Sequence, residues 1–434
     1  MTTPMQSWTF VVFVALSVLV YWLLPRKWRP YFLLAESLGY YLACSLDVYG
    51  LTFIFLLFYL YGMFVIGIMI DLAKTKRGRL AWLLTGVLIA TGILFMFKTS
   101  TTMIKIIFLL FGLGGGQAVA MAFAKFGIPV GISYFSFRVI HYLVEVYRGK
   151  EQRASALEFF LYVTFFPTMV SGPIHRFYTL GRENPAESFG PQLRQEGGGP
   201  RFNMEDLSIG FWRLLQGIVK KFVIADFFLR LAAPMMKAGM VVTSTTGQLW
   251  LAAHAYFIYL YIDFSGYSDM AIGISRMLGF RITENFNWAL FSPNVREFWR
   301  RWHISLTNWL MNYIYFPLGG GRKGNFRTNV NLMITIIAVA LWHKVSVSLF
   351  IWGVCEGTCL MIFRSWDKLK KRLFPDRKPT WWGKAIGIVM VWHVHGILWP
   401  LFLHDVKIAM AYYMKMLPFI PLLLRGLRTL LTGA

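Results

Sequence analysis

The chain has 434 residues, of which 57% are hydrophobic, 18% aromatic and only 15% charged, an apolar content that excludes a pair or trio of soluble domains. Its formal charge of +24 would point to nucleic acid in a soluble protein. Here the basic residues lie in short loops beside apolar runs, a pattern that reads as membrane topology and makes membrane lipid, not nucleic acid, the surrounding partner.

In chain order, apolar runs fall at 8–24, 31–46, 51–70, 80–97, 104–113, 129–147, 157–170, 209–231, 249–264, 330–342, 347–363, 386–403 and 408–424. A helix needs about 17–25 such residues to cross the hydrocarbon, so the runs predict an all-α, polytopic membrane protein with roughly 10–13 transmembrane or re-entrant helices. The clusters Arg26-Lys27-Trp28-Arg29 and Lys74-Thr75-Lys76-Arg77-Gly78-Arg79 flank one pair of spans and can share a face. That face is expected to be cytoplasmic, joined by the basic stretch from Lys368 to Lys378, which leaves the N-terminus extracytoplasmic. No basic segment precedes the first run and no small-residue cleavage site follows it, so it reads as a retained helix. Cys44, Cys355 and Cys359 have neither metal nor disulfide spacing. Cys355 and Cys359 could share a helical face as a thioester relay, but small buried thiols are the commoner reason for such residues.

The long polar stretch around residues 178–206 contains Gly197-Gly198-Gly199-Pro200 and reads as a loop outside the bilayer. It divides one membrane-embedded domain into helical groups 1–177 and 204–434, joined by an extramembrane loop 178–203. Before it, Gly131–Arg138 and Phe165–Arg176 carry Gly, Pro, Ser and Arg inside apolar sequence. Interrupted helix is tolerated at membrane depth only where protein or a water-filled cavity satisfies the backbone, so these segments suggest helices around a hollow, tunnel-like interior.

Between residues 295 and 313, apolar residues fall at 295, 298, 299, 302, 306, 309, 310 and 313, the stripe of one amphipathic helix. Arg296, Glu297, Arg300 and Arg301 decorate its remainder, and His303 stands at the margin of the stripe. After the basic, glycine-rich turn Gly319–Arg327, residues 328–342 would give a helix of roughly 22 Å, and residues 347–363 a return of roughly 25 Å. Two such short helices would hold His343 within the membrane, where an ionisable side chain is a candidate functional group. On position alone, a structurally satisfied histidine remains the alternative for His343, as an ordinary interfacial residue does for His303.

Several segments resemble the membrane-bound O-acyltransferase family, most closely its bacterial, alginate O-acetyltransferase-like branch. They are Gly131–Phe137 with Val146-Tyr147-Arg148-Gly149, Phe166-Pro167 with Ser171-Gly172-Pro173-Ile174, Lys220–Asp226, Asp263–Gly273 and Glu284-Asn285-Phe286-Asn287. Glu297–Leu306, Tyr315-Phe316-Pro317-Leu318-Gly319-Gly320 and Leu341-Trp342-His343 follow in the same order. The resemblance implies that His343 is the family's essential histidine and His303 its second, cytoplasm-proximal one, and the turn at residues 315–324 points to the polysaccharide-acetylating branch. Lys344 stands where relatives usually have glycine, and Glu356 where they often have histidine. A cation at position 344 would favour a neutral His343 imidazole, or would pair with Glu356.

Transfer of an acyl group from a thioester to a hydroxyl needs a base, and histidine is the usual one near neutral pH. The expected roles are catalytic for His343 and His303, with Arg300, Arg301, Trp302, Asp269, Glu356 and Lys344 binding substrate. The arginines would engage a phosphorylated donor. Asp263 and Asp269 would shape the tunnel or bond to nearby backbone. The donor is expected to be acetyl-CoA or another acyl thioester, with no bound cofactor and no metal. The final acceptor would be an extracytoplasmic polysaccharide, reached with the help of an exported second acyltransferase. The location implied is a bacterial cytoplasmic membrane. Two alternatives remain: D-alanyl transfer towards teichoic acid from an acyl-carrier protein, and a proton-coupled transporter. His393 and His395 are two apart and point to different sides of a helix, so a shared metal is not expected. Gly112–Gly116 lacks the strand, helix and Lys-Ser/Thr context of a phosphate loop.

Overall fold

The computed structural model describes residues 8–45, 50–99, 108–110, 112, 114–118, 129–149, 152–180, 183–375 and 380–417. Among these the regular structure is helical throughout and contains no β-strand, as the apolar periodicity predicts. Leu51–Leu72, Lys76–Lys98, Val347–Leu373 and Trp381–Leu403 are long and apolar enough to cross a membrane, and Thr9–Leu23 is a shorter apolar helix. Most of the expected run at 104–113, and the end of that at 408–424, lie outside the described residues. The chain forms two compact units, one from Met1–Ile218 with Tyr267–Asn285 and the other from Val219–Gly266 with Phe286–Ala434.

In the first unit, helix ends follow from capping chemistry. Pro25 stands just past the end of Trp8–Leu23, where a missing N–H costs least. Thr75 accepts the Gly78 N–H to open Lys76–Lys98. Ser155 and Glu158 form a reciprocal capping box at the start of Ala156–Thr164. Arg79, from the basic cluster, donates to the Val146 and Tyr147 carbonyls at 3.0 and 2.9 Å, satisfying the last turn of Ile132–Arg148.

The interruption at Phe165-Phe166-Pro167 splits the expected 157–170 helix into Ala156–Thr164 and Phe166–Met169. Arg138, fully buried, donates to the Val163 and Thr168 carbonyls at 2.7 and 2.5 Å. Phe165, Phe166, Thr168, Met169, His175 and Phe177 are all shut off from solvent. The broken backbone is therefore satisfied by a guanidinium inside packed protein, and not by a cavity as the interruption alone suggested. The expected loop at 178–203 carries regular structure from residue 184 onwards: Asn184 caps a 3₁₀ turn at Pro185–Glu187, and Phe189–Leu193 is a short helix with Phe189 and Leu193 buried.

In the second unit, a π-helical segment, Lys220–Ile224, leads into Ala225–Met236. Gly324–His343 and Val347–Leu373 form the most extensively packed helix pair. Its closeness has a simple cause. A Cβ on Gly353 would lie 2.9 Å from the Ala340 Cβ and 3.2 Å from the Ile337 Cα, and one on Gly357 would lie 2.6 Å from the Met333 Sδ. The Gly353-x-x-x-Gly357 spacing is the small-residue device that lets membrane helices approach. At the opposite end of the pair, Arg364 donates to the Asn329 Oδ1 at 2.5 Å and Lys368 to the Asn325 Oδ1. The outgoing helix starts at Gly324 and has 20 residues, the returning one 27. At 1.5 Å per residue these are roughly 30 and 40 Å long, so shortness of the hairpin is not what positions His343.

Candidate active site

All residues of this site belong to the second unit. The expected continuous helix over 295–313 is broken. Val295–Arg301 ends at Trp302, Ile304–Leu310 follows, and Met311–Tyr315 is π-helical. His303 joins the halves in a left-handed conformation, φ 43° and ψ 54°, a region uncommon for residues with a side chain and enriched at functional sites. One contact explains the break: the Asn287 N–H donates to the Arg301 carbonyl at 3.0 Å, the acceptor that a continuous helix would offer to the Ser305 N–H. The consequence is that Trp302 and His303 both turn inward, at 8% and 3% exposure, which neighbours in an unbroken helix could not readily do.

Trp302 packs among Phe298, Phe286, Tyr261 and Phe257, at ring distances of 5.3, 5.2, 6.2 and 6.4 Å. It is a wall of the aromatic core more than a surface for substrate. His303 meets the Phe264 ring edge-on at 4.8 Å and the Trp342 ring at 6.1 Å. His343 lies on that same indole at 4.5 Å and against Phe402 at 4.9 Å. Both histidines therefore converge on Trp342, but they differ in access. His303 is buried, while His343, the last residue of Gly324–His343, is exposed.

Burial pushes the His303 imidazole down to about 3, with the His343 charge acting the same way. The ring is therefore neutral at physiological pH. Because the unfolded ring would bind a proton below about 6.5, His303 favours the folded state fully above that pH and progressively less as pH falls towards its folded value. Thermal unfolding in detergent should thus occur at lower temperature at pH 5 than at pH 7. In His303→Asn, whose side chain tolerates left-handed backbone, that dependence should be weaker; an identical pH slope would show that another group causes it.

The remaining expected residues separate into distinct settings. Glu297 accepts Arg300 at 3.0 Å and Arg301 at 3.7 Å, with the Arg300 side chain 68% exposed and that of Arg301 34%. One carboxylate thus serves two guanidiniums, and Arg300 keeps donors turned to solvent. Lys344 is exposed at the helix C-cap. Glu356 does not pair with it and is not open to substrate: it is fully buried, with its Oε1 3.4 Å from the His395 Nε2. The reason is helical phase, since Glu356 lies on the buried face with Trp352, Gly353, Gly357 and Leu360. Asp263 is bonded to Lys221 at 2.5 Å. In the first unit, Asp269 pairs with Arg213 at 2.7 Å, and Arg213 also reaches Glu284 at 2.6 Å. The separation of His393 from His395 follows their spacing. His395 faces inward, whereas His393 is exposed with its ring 5.0 Å from that of His254. Among the described residues no group of three His, Cys, Asp or Glu side chains could hold a metal ion.

Phe264 and Asn287 stood within the family motifs without a role of their own, and Phe402 and Asn331 escaped the sequence reading. Asn331, fully buried, donates to the Gly320 and Leu318 carbonyls at 2.9 and 3.3 Å, tying the glycine turn to the helix that ends at His343. A lone asparagine in an apolar run was the available signal.

The model of the membrane-bound O-acyltransferase family matches residues 51–404. A probable alginate O-acetylase of Azotobacter vinelandii is 34% identical over 392 residues, 88% of this chain and 72% of that protein. A peptidoglycan O-acetyltransferase of Helicobacter pylori is 29% identical over 272 residues, 56% of this chain and 49% of that one. A teichoic acid D-alanyltransferase of Streptococcus thermophilus is 27% identical over 285 residues, 61% and 65% of the two chains.

Proposed function

Since the chain belongs to the membrane-bound O-acyltransferase family and is a multi-pass acyltransferase, we propose that it moves an acetyl group from a cytoplasmic thioester towards a hydroxyl of an extracytoplasmic polysaccharide. The observation that carries this reading is the exposed His343 imidazole set against the indole that also contacts buried His303. The similarity to the alginate O-acetylases, longer and closer than that to the D-alanyltransferases, favours acetyl and polysaccharide over D-alanyl and teichoic acid.

In this mechanism His343 removes the acceptor's proton as its oxygen bonds to the acyl carbon. The C–S bond then breaks, and the imidazolium returns the proton to the departing thiolate. Neutral His303 and the Trp342 ring fix the place of the base. Arg300 binds the phosphates of acetyl-CoA from the cytoplasmic side. An exported second acyltransferase receives the acetyl group for delivery to polymer. The protein lies in a bacterial cytoplasmic membrane with its N-terminus outside.

Purified protein in lipid, given isotopically labelled acetyl-CoA, should release free CoA and pass label to a hydroxyl acceptor. Turnover only with a D-alanyl carrier protein would replace this reading, and solute movement without thioester consumption would place the protein among transporters. Arg300→Ala should raise the KM for acetyl-CoA several-fold with kcat little changed, and added salt should shrink the difference. An unchanged KM would remove Arg300 from donor binding.

A further inference from the structure

Glu356 and His395 are buried to 0% and 2% exposure in the interior of the second unit, and the acyl-transfer mechanism above uses neither. Their protonation is constrained by what faces each atom. The His395 Nδ1 lies 2.8 Å from the Val391 carbonyl, which can only accept, so Nδ1 carries a hydrogen. In a neutral ring with that tautomer, Nε2 presents a bare lone pair. Yet Nε2 lies 3.4 Å from the Glu356 Oε1 with neither atom in a hydrogen bond, and an ionised carboxylate has only lone pairs to offer. Two acceptors opposed in an apolar interior would be an unpaired buried charge against an unsatisfied nitrogen. One proton between them removes the conflict, whether it sits on oxygen or on nitrogen. Among the described residues no lysine or arginine forms an ion pair with Glu356. The thiols of Cys355 and Cys359, on its own helix, are the other ionisable groups that interact with it.

We infer that Glu356 and His395 share a single proton and act as a buried positioning pair for the broken helix that presents His303. The packing connects them. The Phe298 ring lies 4.0 Å from that of His395 and 5.3 Å from that of Trp302, the residue before His303. Phe257 also stacks on the His395 ring, at 5.0 Å and 2°. Trp352, on the same buried helix face as Glu356, touches Trp299 at 6.2 Å. Trp352 meets Phe402 at 5.4 Å, and Phe402 meets His343 at 4.9 Å. The pair thus bears on the segments that hold both histidines through the rings of Phe298, Trp352 and Phe402. The positioning role rests on the reading of His303 and His343 as the acyl-transfer groups; the shared proton does not.

The proton is counted first, on resting protein without substrate. Infrared difference spectra between wild type and Glu356→Gln report the carboxyl, and nitrogen-15 histidine spectra of wild type and His395→Phe report the ring. One proton over the pair is expected. A carboxylate facing a neutral ring, or a protonated carboxyl facing an imidazolium, overturns the inference even if acetyl transfer proceeds. Kinetics then test positioning. Glu356→Gln, whose amide N–H can donate to Nε2, should keep kcat within about threefold of wild type. Glu356→Ala should lose at least about tenfold in kcat, with the KM for acetyl-CoA within about twofold. Full kcat in Glu356→Ala, or an equal loss in Glu356→Gln, overturns the positioning role. If Glu356→Ala does not fold, the glutamine variant and the proton count decide.

Discussion

Exchanging His343 for alanine should lower kcat by about 10²–10⁴-fold, the usual contribution of a positioned general base, while leaving thermal unfolding nearly unchanged. The asymmetry follows from its setting. The imidazole ends a helix and is exposed, resting on Trp342 and Phe402, so less packing is lost with it than with a buried ring. His303→Ala should act differently. It removes a buried ring from between Phe264 and Trp342 and empties a left-handed position, so stability and kcat should fall together. Parallel measurement of acetyl transfer from acetyl-CoA and of melting in detergent separates the two. If His343→Ala retains activity, the base lies elsewhere and the proposed mechanism is lost. If His343→Gln restores activity, hydrogen bonding and not proton transfer is what the position supplies.

The second large effect is expected at Gly353, which touches no substrate. Its would-be Cβ meets the Ala340 Cβ and the Ile337 Cα on the facing helix, so Gly353→Ile must push Gly324–His343 away from Val347–Leu373. Overpacking of this kind costs about 1–3 kcal/mol. Ala340 is fully buried and one turn before His343, so the displacement carries the base with it, and kcat should fall well beyond what the stability loss alone explains. Gly353→Ala places one methyl 2.9 Å from the Ala340 Cβ, which forces a smaller separation of the helices than isoleucine does and should be intermediate. The ordered series glycine, alanine, isoleucine in both melting temperature and kcat is the measurement. A Gly353→Ile protein as stable and active as wild type would mean that the hairpin is not held by this contact.

The comparison of histidines explains why some of the site was legible in the residues and some was not. His343 was found because a titratable side chain closes an apolar run, and that signal is local. The expected shortness of the hairpin was wrong, because the helix begins at Gly324, within sequence whose glycines and basic residues read as turn. A helix start among polar residues depends on partners, here Asn331 and Arg327 bonded to the turn and to each other. His303 was found too, yet its geometry was not. A stripe of apolar residues at helical spacing is the same pattern whether the helix is whole or broken, and the break depends on Asn287, a residue from another segment, bonding to the Arg301 carbonyl.

Glu356 shows the same limit. Its nearness in sequence to Lys344 suggested a pair, but the return helix turns position 356 towards Trp381–Leu403 and position 344 outwards, so its partner is His395, 39 residues away. By itself the sequence determined the all-helical membrane class and the family, and it singled out the two histidines as candidates, because apolar periodicity and ordered motifs are carried along the chain. Only the tertiary structure decided which carboxylates are spent in ion pairs, which interruptions are sealed by Arg138, and which histidine is open. Each of those depends on a contact between segments distant in sequence, and such a contact leaves no periodic trace in either one.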